Sequence, residues 1–339
     1  MPVKVAINGF GRIGRLVLRA MVESGRTDLQ PVAINDLGSV EANAHLFRYD
    51  SVHGRFPGEV IVDGHTITIR HSGRIWGPIR VSAERDPAKV PYEGVDVAME
   101  CTGLFTSKQS ASALISAGAR KVLVSAPADG VDATVVFGVN QGVMTPDMTV
   151  VSNGSCTTNC LAPMAKVLHD TFGIERGYML TIHSYTGDQR TVDTLHKDLH
   201  RARAAALSMI PTSTGAARAL GLVLPELAGK LDGTAVRVPT PNVSLVSLDA
   251  NLTRPAKVAE INEAFRAAAS EGPLRGILEY NSEKLVSSDF NGVAASCTFD
   301  ATQTASIDGG RMIRIAGWYD NEWGFSTRMS DTAALFGTL

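Results

Sequence analysis

The sequence is short of the features that would mark several classes of protein. Four cysteines in 339 residues are too few for a disulfide framework, so a reducing, cytoplasmic setting is expected. No apolar run approaches the ~20 residues needed to span a bilayer. The apolar stretch Val3 to Asn8 is brief and runs straight into glycines, unlike a secretory signal. Neither sign of charge dominates. The net charge of -2 removes the electrostatic case for nucleic acid or a membrane as partner. There is no internal repeat and no low-complexity tract. What remains is an ordinary globular composition, 44% hydrophobic and 19% charged. The chain is longer than one domain usually is, so two domains are expected.

The first third alternates strand-like and helix-like segments. Val3 to Asn8 reads as a buried strand, and Arg12 to Glu23 as an amphipathic helix. Val32 to Asn35 is strand-like and Val40 to Phe47 helix-like. Strands at Val95 to Met99 and Lys121 to Ser125 flank a helical stretch, Lys108 to Ala117. This rhythm predicts an α/β domain with a doubly wound parallel sheet over residues 1–155. After Ser155 the rhythm changes. A helical segment, Leu161 to Phe172, precedes strand-like runs at Tyr178 to Ser184, Thr234 to Val238 and Val243 to Leu252. The amphipathic helix Val258 to Ala269 interrupts them, before strands near Gly292 to Phe299 and Met312 to Trp318. Residues 156–320 are therefore expected to form an α+β domain with a mostly antiparallel sheet. Thr186 to Pro211 is a long, basic, irregular segment, and long ordered loops are usually functional.

Gly9-Phe10-Gly11-Arg12-Ile13-Gly14 matches G-x-G-x-x-G directly after a strand and at the mouth of a helix. Gly9 permits a tight turn, Gly11 lets backbone approach a pyrophosphate, and Gly14 lets helix and strand pack closely. The helix N-terminus offers free N–H groups and partial positive charge. Glycines alone can merely punctuate a turn. Here Asp36 closes the second strand 22 residues after Gly14, where an acid binds a ribose 2′-hydroxyl and repels the 2′-phosphate of NADP. The pattern therefore predicts a Rossmann-type sheet that binds NAD.

Asn153-Gly154-Ser155-Cys156-Thr157-Thr158-Asn159-Cys160 joins an apolar strand to a helical stretch. Cap-type residues upstream would put Cys156 in a first helical turn, where the dipole favours a thiolate. Buried cysteine is also commonly an inert small hydrophobe, the reading given to Cys101, Cys160 and Cys297. Sequence physics leaves both roles open for Cys156. Pro163 should kink a helix begun there. A thiolate acting on an aldehyde needs a base. Of eight histidines, His183 stands out modestly, closing a strand before the long loop.

Taken together these motifs resemble the glyceraldehyde-3-phosphate dehydrogenase family, of bacterial phosphorylating type. The likeness runs through Val5 to Arg15, Ile34-Asn35-Asp36, Glu100 to Gly103, Ser152 to Pro163, His183 to Gln189, Pro211 to Ala217, Arg237 to Asn242 and Trp318 to Gly324. The resemblance implies Cys156 as nucleophile and His183 as its base. It implies Thr186 and Arg237, with Asp188 nearby, for the substrate phosphate. For the attacking phosphate it implies Ser155, Thr157, Arg201, Thr214 and Gly215. Arg12, Ile13, Ser125 and Asn321 are implied in cofactor binding, with Asn321 on the nicotinamide carboxamide. The resemblance also accounts for Pro163, implies a homotetramer that uses the Lys197 to Arg203 loop at an interface, and calls for no metal. Residues 321–339 are expected to return to the nucleotide domain as a helix.

Three departures from the family pattern stand out. Gly154 replaces a usual alanine and is expected to loosen the turn before Cys156. Phe325 removes a tyrosine hydroxyl. Thr194-Leu195 replaces the Leu-Pro of strictly NAD-specific members, which leaves some NADP use open. A sister enzyme, erythrose-4-phosphate dehydrogenase, departs from the pattern at Thr186 and around Thr214-Gly215, where this chain keeps phosphate-binding types. A non-catalytic nucleotide sensor on the same fold is the reading from another class.

Overall fold

A near-continuous apolar run makes Val3–Asn8 a strand covered on both faces. In the structure, a computed structural model that describes residues 1–339, it pairs in parallel with Leu29–Asn35 on one side and Val97–Glu100 on the other. The chain divides into two units. The first comprises residues 1–135, 141–154 and 326–339; the second comprises 136–140 and 155–325.

The sheet of the first unit has nine strands in the order Ala133–Thr134, Val150–Ser152, Lys121–Val124, Val97–Glu100, Val3–Asn8, Leu29–Asn35, Arg74–Ser82, Thr66–His71 and Glu59–Asp63. All neighbours are parallel up to Arg74–Ser82. The last two strands add an antiparallel edge that the helix–strand alternation does not foresee. Ile67 and Ile69 bury one face of it, and period-two alternation at Thr66 to Ile69 is its signature in the sequence. The helix expected over 108–117 is two short turns, Lys108–Ala111 and Ala113–Ser116. Ser112 sits between them and donates its hydroxyl back to the Lys108 carbonyl at 2.7 Å, a bond that competes with the helical ladder. From residue 326 the C-terminal helix Trp323–Thr338 belongs to this unit. Thr332 donates to Asn153 Oδ1 at 2.8 Å, and Gly337 packs so close to Val3 that a Cβ would sit 2.2 Å from its Cγ1.

The second unit carries an eight-stranded sheet in the order Ile210–Thr212, Leu231–Val238, Ile174–Ser184, Ser244–Leu252, Met312–Tyr319, Cys297–Asp300 and Leu278–Asn281, with Ala305–Ile307 beside Met312–Tyr319. Five of its pairings are antiparallel; Ile174–Ser184 with Leu231–Val238 and Leu278–Asn281 with Cys297–Asp300 are parallel. The helices Cys156–Phe172, Ala216–Val223 and Val258–Ser270 share one apolar core with this sheet, including Leu161, Leu168, Leu220, Phe265, Leu248 and Ile315. The helix Cys156–Phe172 has Cys156 in its first turn, as the cap-type residues predict, begins before the apolar pattern at Leu161, and continues through Pro163. Its start is fixed by Ser155, whose hydroxyl accepts from the Thr158 N–H at 3.0 Å.

Candidate functional site

In the first unit the three glycines do separate work. Gly9 has φ +89°, and a Cβ there would lie 2.7 Å from Thr102. A Cβ on Gly14 would lie 2.1 Å from the Gly9 carbonyl oxygen, so the helix can meet the turn only without one. Around Gly11 there is open space within 4 Å. Gly11 caps the helix Arg12–Glu23, whose first turn carries no acidic residue and whose cap supplies no side-chain acceptor. Its cap residue Gly11 lines a cavity together with Asn8, Gly9, Asp36, Glu84 and Arg85, beside the free amides of a helix start. These residues fit a dinucleotide: open backbone where a pyrophosphate must approach, and a carboxylate at the end of the second strand for a ribose. Asp36 also accepts from the Phe10 N–H at 2.8 Å and the Gly38 N–H at 2.9 Å, so the same carboxylate braces the glycine turn.

Behind the turn, buried Glu100 accepts from Asn8 Nδ2 at 2.6 Å and from Thr102. Burial pushes its carboxyl above the usual range despite these donors. Asn8 Oδ1 in turn receives Asn35 at 2.8 Å. Arg12 bonds Asp50. Asp50 is held down to about 2: burial acts against ionisation, and the backbone of His53 and the Arg12 guanidinium outweigh it. Ile13 is half-buried, and Ser125 joins the turn to the sheet through its N–H to the Glu100 carbonyl at 2.9 Å. Asn8, Asn35, Glu100 and Thr102 fall within the motifs of the family likeness, although the sequence alone gives them no role as a polar frame for this cavity.

In the second unit, Cys156 occupies the first turn of its helix and His183 the end of Ile174–Ser184. Sγ lies 3.5 Å from Nε2. Cys156 keeps some accessible surface, although its sulfur is closely surrounded by protein. Burial pushes the thiol above its ordinary value; the Arg237 charge and the Thr157 hydrogen bonds oppose this without overcoming it. Burial thus opposes the thiolate that the helix dipole favours. His183 is buried, and burial together with the Arg237 charge lowers its imidazole to about 3. Burial therefore works against charge on either partner of the couple.

Tyr319 and Thr181, which the sequence reading does not single out, complete the surroundings of the couple. The Tyr319 hydroxyl lies 2.9 Å from Thr157 Oγ1 and 2.9 Å from Thr181 Oγ1. Its ring meets the His183 ring edge-on at 5.9 Å. Thr181 shares the strand face of His183 through the two-residue period, which was the available signal. Asn321 Oδ1 accepts from both Ser184 Oγ and Ser244 Oγ at 2.9 Å, which fixes the direction of its amide.

The polar residues expected around anions separate into two sets. Arg237 lies beside His183, with Nη1 2.8 Å from Nδ1. It is largely buried, has no carboxylate at ion-pair distance, and its Nε has no partner. A buried cation in that state calls for an anionic ligand. Arg201 is engaged instead, with Asp188 at 2.7 Å and Thr212 Oγ1 at 2.9 Å. Burial would raise the Asp188 carboxyl, yet hydrogen bonds from Arg201 and His196 hold it below the ordinary value. Thr214 accepts from the Ala216 N–H at 3.2 Å, and Gly215 caps the helix Ala216–Val223. Ser155 spends its hydroxyl on Thr158. The Thr186 N–H makes a long bond of 3.4 Å to Gln189.

Residues 3–108 match the family model for the glyceraldehyde 3-phosphate dehydrogenase NAD binding domain, and residues 155–321 match the model for its C-terminal domain. The chain belongs to the glyceraldehyde-3-phosphate dehydrogenase family. It is 64% identical over 341 residues to a glyceraldehyde-3-phosphate dehydrogenase of Xanthobacter flavus, covering all of both chains. It is 62% identical over 339 residues to one of Cereibacter sphaeroides, again over the full length of both. A Geobacillus stearothermophilus enzyme of the same name is 55% identical over 337 residues, with 98% of each chain covered. This is an NAD-dependent oxidoreductase family, and NAD is the cofactor. No helix is long and apolar enough to cross a membrane.

Proposed function

We propose that the chain oxidises glyceraldehyde 3-phosphate to 1,3-bisphosphoglycerate, with reduction of NAD and consumption of inorganic phosphate. The observation that carries this reading is the 3.5 Å contact between Cys156 Sγ and His183 Nε2 beside an arginine that lacks a counter-ion. His183 takes the thiol proton as Sγ attacks the aldehyde carbon, so that ionisation and attack occur together. The product is a thiohemiacetal on Cys156. The charged imidazole then steadies its oxygen. NAD, when bound, supplies the acceptor for the hydride that leaves this carbon, and a thioester on Cys156 remains. Inorganic phosphate attacks the thioester, and the sulfur departs as thiolate and regains a proton.

In this reading Arg237 and Thr186 hold the phosphate of the substrate. Ser155, Thr157, Arg201, Thr214 and Gly215 receive the attacking phosphate, through hydroxyls, amides and a guanidinium fork. For Arg201 this requires release from Asp188. In the first unit Gly9, Gly11, Arg12, Ile13, Gly14, Asp36 and Ser125 serve the dinucleotide, and Asn321 orients its carboxamide. Residues 1–155 act as the nucleotide domain and 156–320 as the catalytic domain. Phosphate-dependent NADH formation from glyceraldehyde 3-phosphate, run beside NADP and beside erythrose 4-phosphate, tests the assignment. Equal rates without phosphate, or a preference for the four-carbon sugar, would overturn it.

The working form in this reading is a cytoplasmic homotetramer. Val192, Leu195, Leu199, Leu207 and Met209 all expose large apolar side chains on the segment between His183 and Ile210, a density that suits burial against another copy. Sedimentation as a monomer would refute the tetramer.

A further inference from the structure

Ser184, Ser244 and Asn321 are buried polar residues that meet where three strands of the second sheet end. Ile182 pairs with Leu245 and Ser244 with Tyr319, and this register brings the three ends together. The Ser184 and Ser244 hydroxyls each lie 2.9 Å from Asn321 Oδ1, and the Ser184 N–H donates to Ser244 Oγ at 3.1 Å. A serine hydroxyl has one proton to give, whereas a side-chain amide has one accepting end and one donating end. With the Asn321 amide reversed, both buried hydroxyl protons would lose their acceptor, and Ser244 Oγ would face a second donor besides the Ser184 N–H. Oδ1 is therefore held on the serines. Nδ2, which makes no hydrogen bond within the chain, is the end left for a ligand.

We propose that Ser184 and Ser244 are positioning residues that lock the Asn321 amide as a donor, so that it selects an acceptor on the ligand and refuses an N–H. The proposal rests on the reading of Asn321 as the partner of the nicotinamide carboxamide. That group carries both a carbonyl oxygen and an amino group, and an asparagine free to turn could meet it either way round. A locked asparagine meets it one way only. The two serines thereby fix the rotation of the carboxamide about its bond to the ring.

Two further features hold the arrangement. Val243, immediately before Ser244, is a buried β-branched residue with φ +67°, a left-handed conformation that valine resists. Strain of this kind persists where the surrounding structure over-determines it, commonly at a site of function. On the other side, the Asp320 carboxylate accepts from Asn242 Nδ2 at 2.9 Å and from the N–H groups of Gly292, Glu322 and Trp323 at 2.8, 2.9 and 2.8 Å. The turn that carries Asn321 is thus fixed by its neighbour. Reversal of the amide is the freedom left, and the two hydroxyls remove it.

The test is calorimetric titration of the full-length protein, without aldehyde, with NAD and two analogues. The acetylpyridine analogue keeps the carbonyl oxygen and has a methyl group in place of the amino group. The thionicotinamide analogue keeps the amino group and has sulfur, a weak acceptor, in place of the oxygen. The wild type should hold the acetylpyridine analogue about as tightly as NAD and the thionicotinamide analogue about 10-fold more weakly. In Ser184→Ala/Ser244→Ala the amide can turn and accept from the amino group, so the deficit of the thionicotinamide analogue relative to NAD should shrink by about threefold or more. Ser184→Ala alone, which leaves the Ser184 N–H on Ser244 Oγ, should move that ratio the same way by less, and it serves if the double variant does not fold. Asn321→Ala should remove the preference for the oxygen altogether. Loss of the preference in Asn321→Ala with wild-type ratios in the serine variants would overturn the lock alone. Wild-type ratios in Asn321→Ala would overturn the lock together with the reading of Asn321.

Discussion

Sγ of Cys156 and Nε2 of His183 lie 3.5 Å apart, brought together by a helix N-terminus and a strand end from positions 27 residues apart. The sulfur is the only nucleophile in contact with that base, so Cys156→Ser should remove acylation. A fall of roughly 10⁴-fold or more in NADH formation is expected, with NAD affinity little changed because the glycine turn and Asp36 are untouched. Single-turnover NADH bursts beside equilibrium NAD titration would check both halves. Substantial turnover by the serine variant would remove the sulfur from the mechanism.

Acid should destabilise this protein partly through His183. Its folded value of about 3 lies below the ordinary 6.5 because burial and Arg237 disfavour the charged ring. Below pH 6.5 the unfolded chain binds a proton that the folded chain refuses. The stability is therefore present above that pH and declines as pH falls toward 3. In His183→Gln, chemical denaturation across pH 7 to 4 should show a shallower decline, while kcat drops about 10²–10⁴-fold. Parallel slopes in the two proteins would argue against a buried neutral ring.

Asp36 holds two backbone amides of the nucleotide turn and faces the dinucleotide cavity. Asp36→Ala should weaken NAD binding by about 10-fold to 100-fold, the usual range for a lost charge-assisted hydrogen bond. It should also narrow the gap between NAD and NADP, since the repelling charge is gone. Steady-state kinetics with both cofactors would show it. An unchanged ratio would contradict the role given to the carboxylate.

Gly154 is the departure that the structure explains. It has φ +66°, a left-handed conformation, and its N–H donates to Ser152 Oγ at 3.0 Å. The turn before Cys156 thus takes a conformation that favours glycine over alanine. Gly154→Ala, although it restores the usual family residue, should destabilise the protein by about 1–2 kcal/mol. A thermal unfolding midpoint at or above that of the wild type would contradict this.

Tyr319 anchors two buried hydroxyls, those of Thr157 and Thr181. Tyr319→Phe leaves both without their shared partner and should cost about 1–3 kcal/mol of stability. If Thr157 aims its hydroxyl at the attacking phosphate, KM for phosphate should rise more than kcat falls. Equal changes in both would place Tyr319 in packing only.

The glycine turn and its acid were legible because they are local: strand, turn, helix and second strand lie within 36 residues, and each glycine answers a contact that its neighbours in the chain create. The same holds for the amphipathic helix Val258–Ser270 and the change of rhythm after Ser155. The apolar pattern picks up the helix after the cysteine only at Leu161, whereas the cap-type residues before Cys156 mark its start. Pro163 weighs against a helix by propensity, and the Ser155 cap together with burial against the sheet overrides it.

The sequence by itself determined the order of elements, the nucleotide turn and the identity of the reactive groups, since these follow from side-chain type and short-range spacing. Only the tertiary structure decided that Cys156 faces His183, that burial weighs against charge on both, and that Arg237 and Tyr319 close around them. Those relations join four separate strands and helices, and the energies that set them depend on exposure and distance across the fold, which no stretch of chain contains.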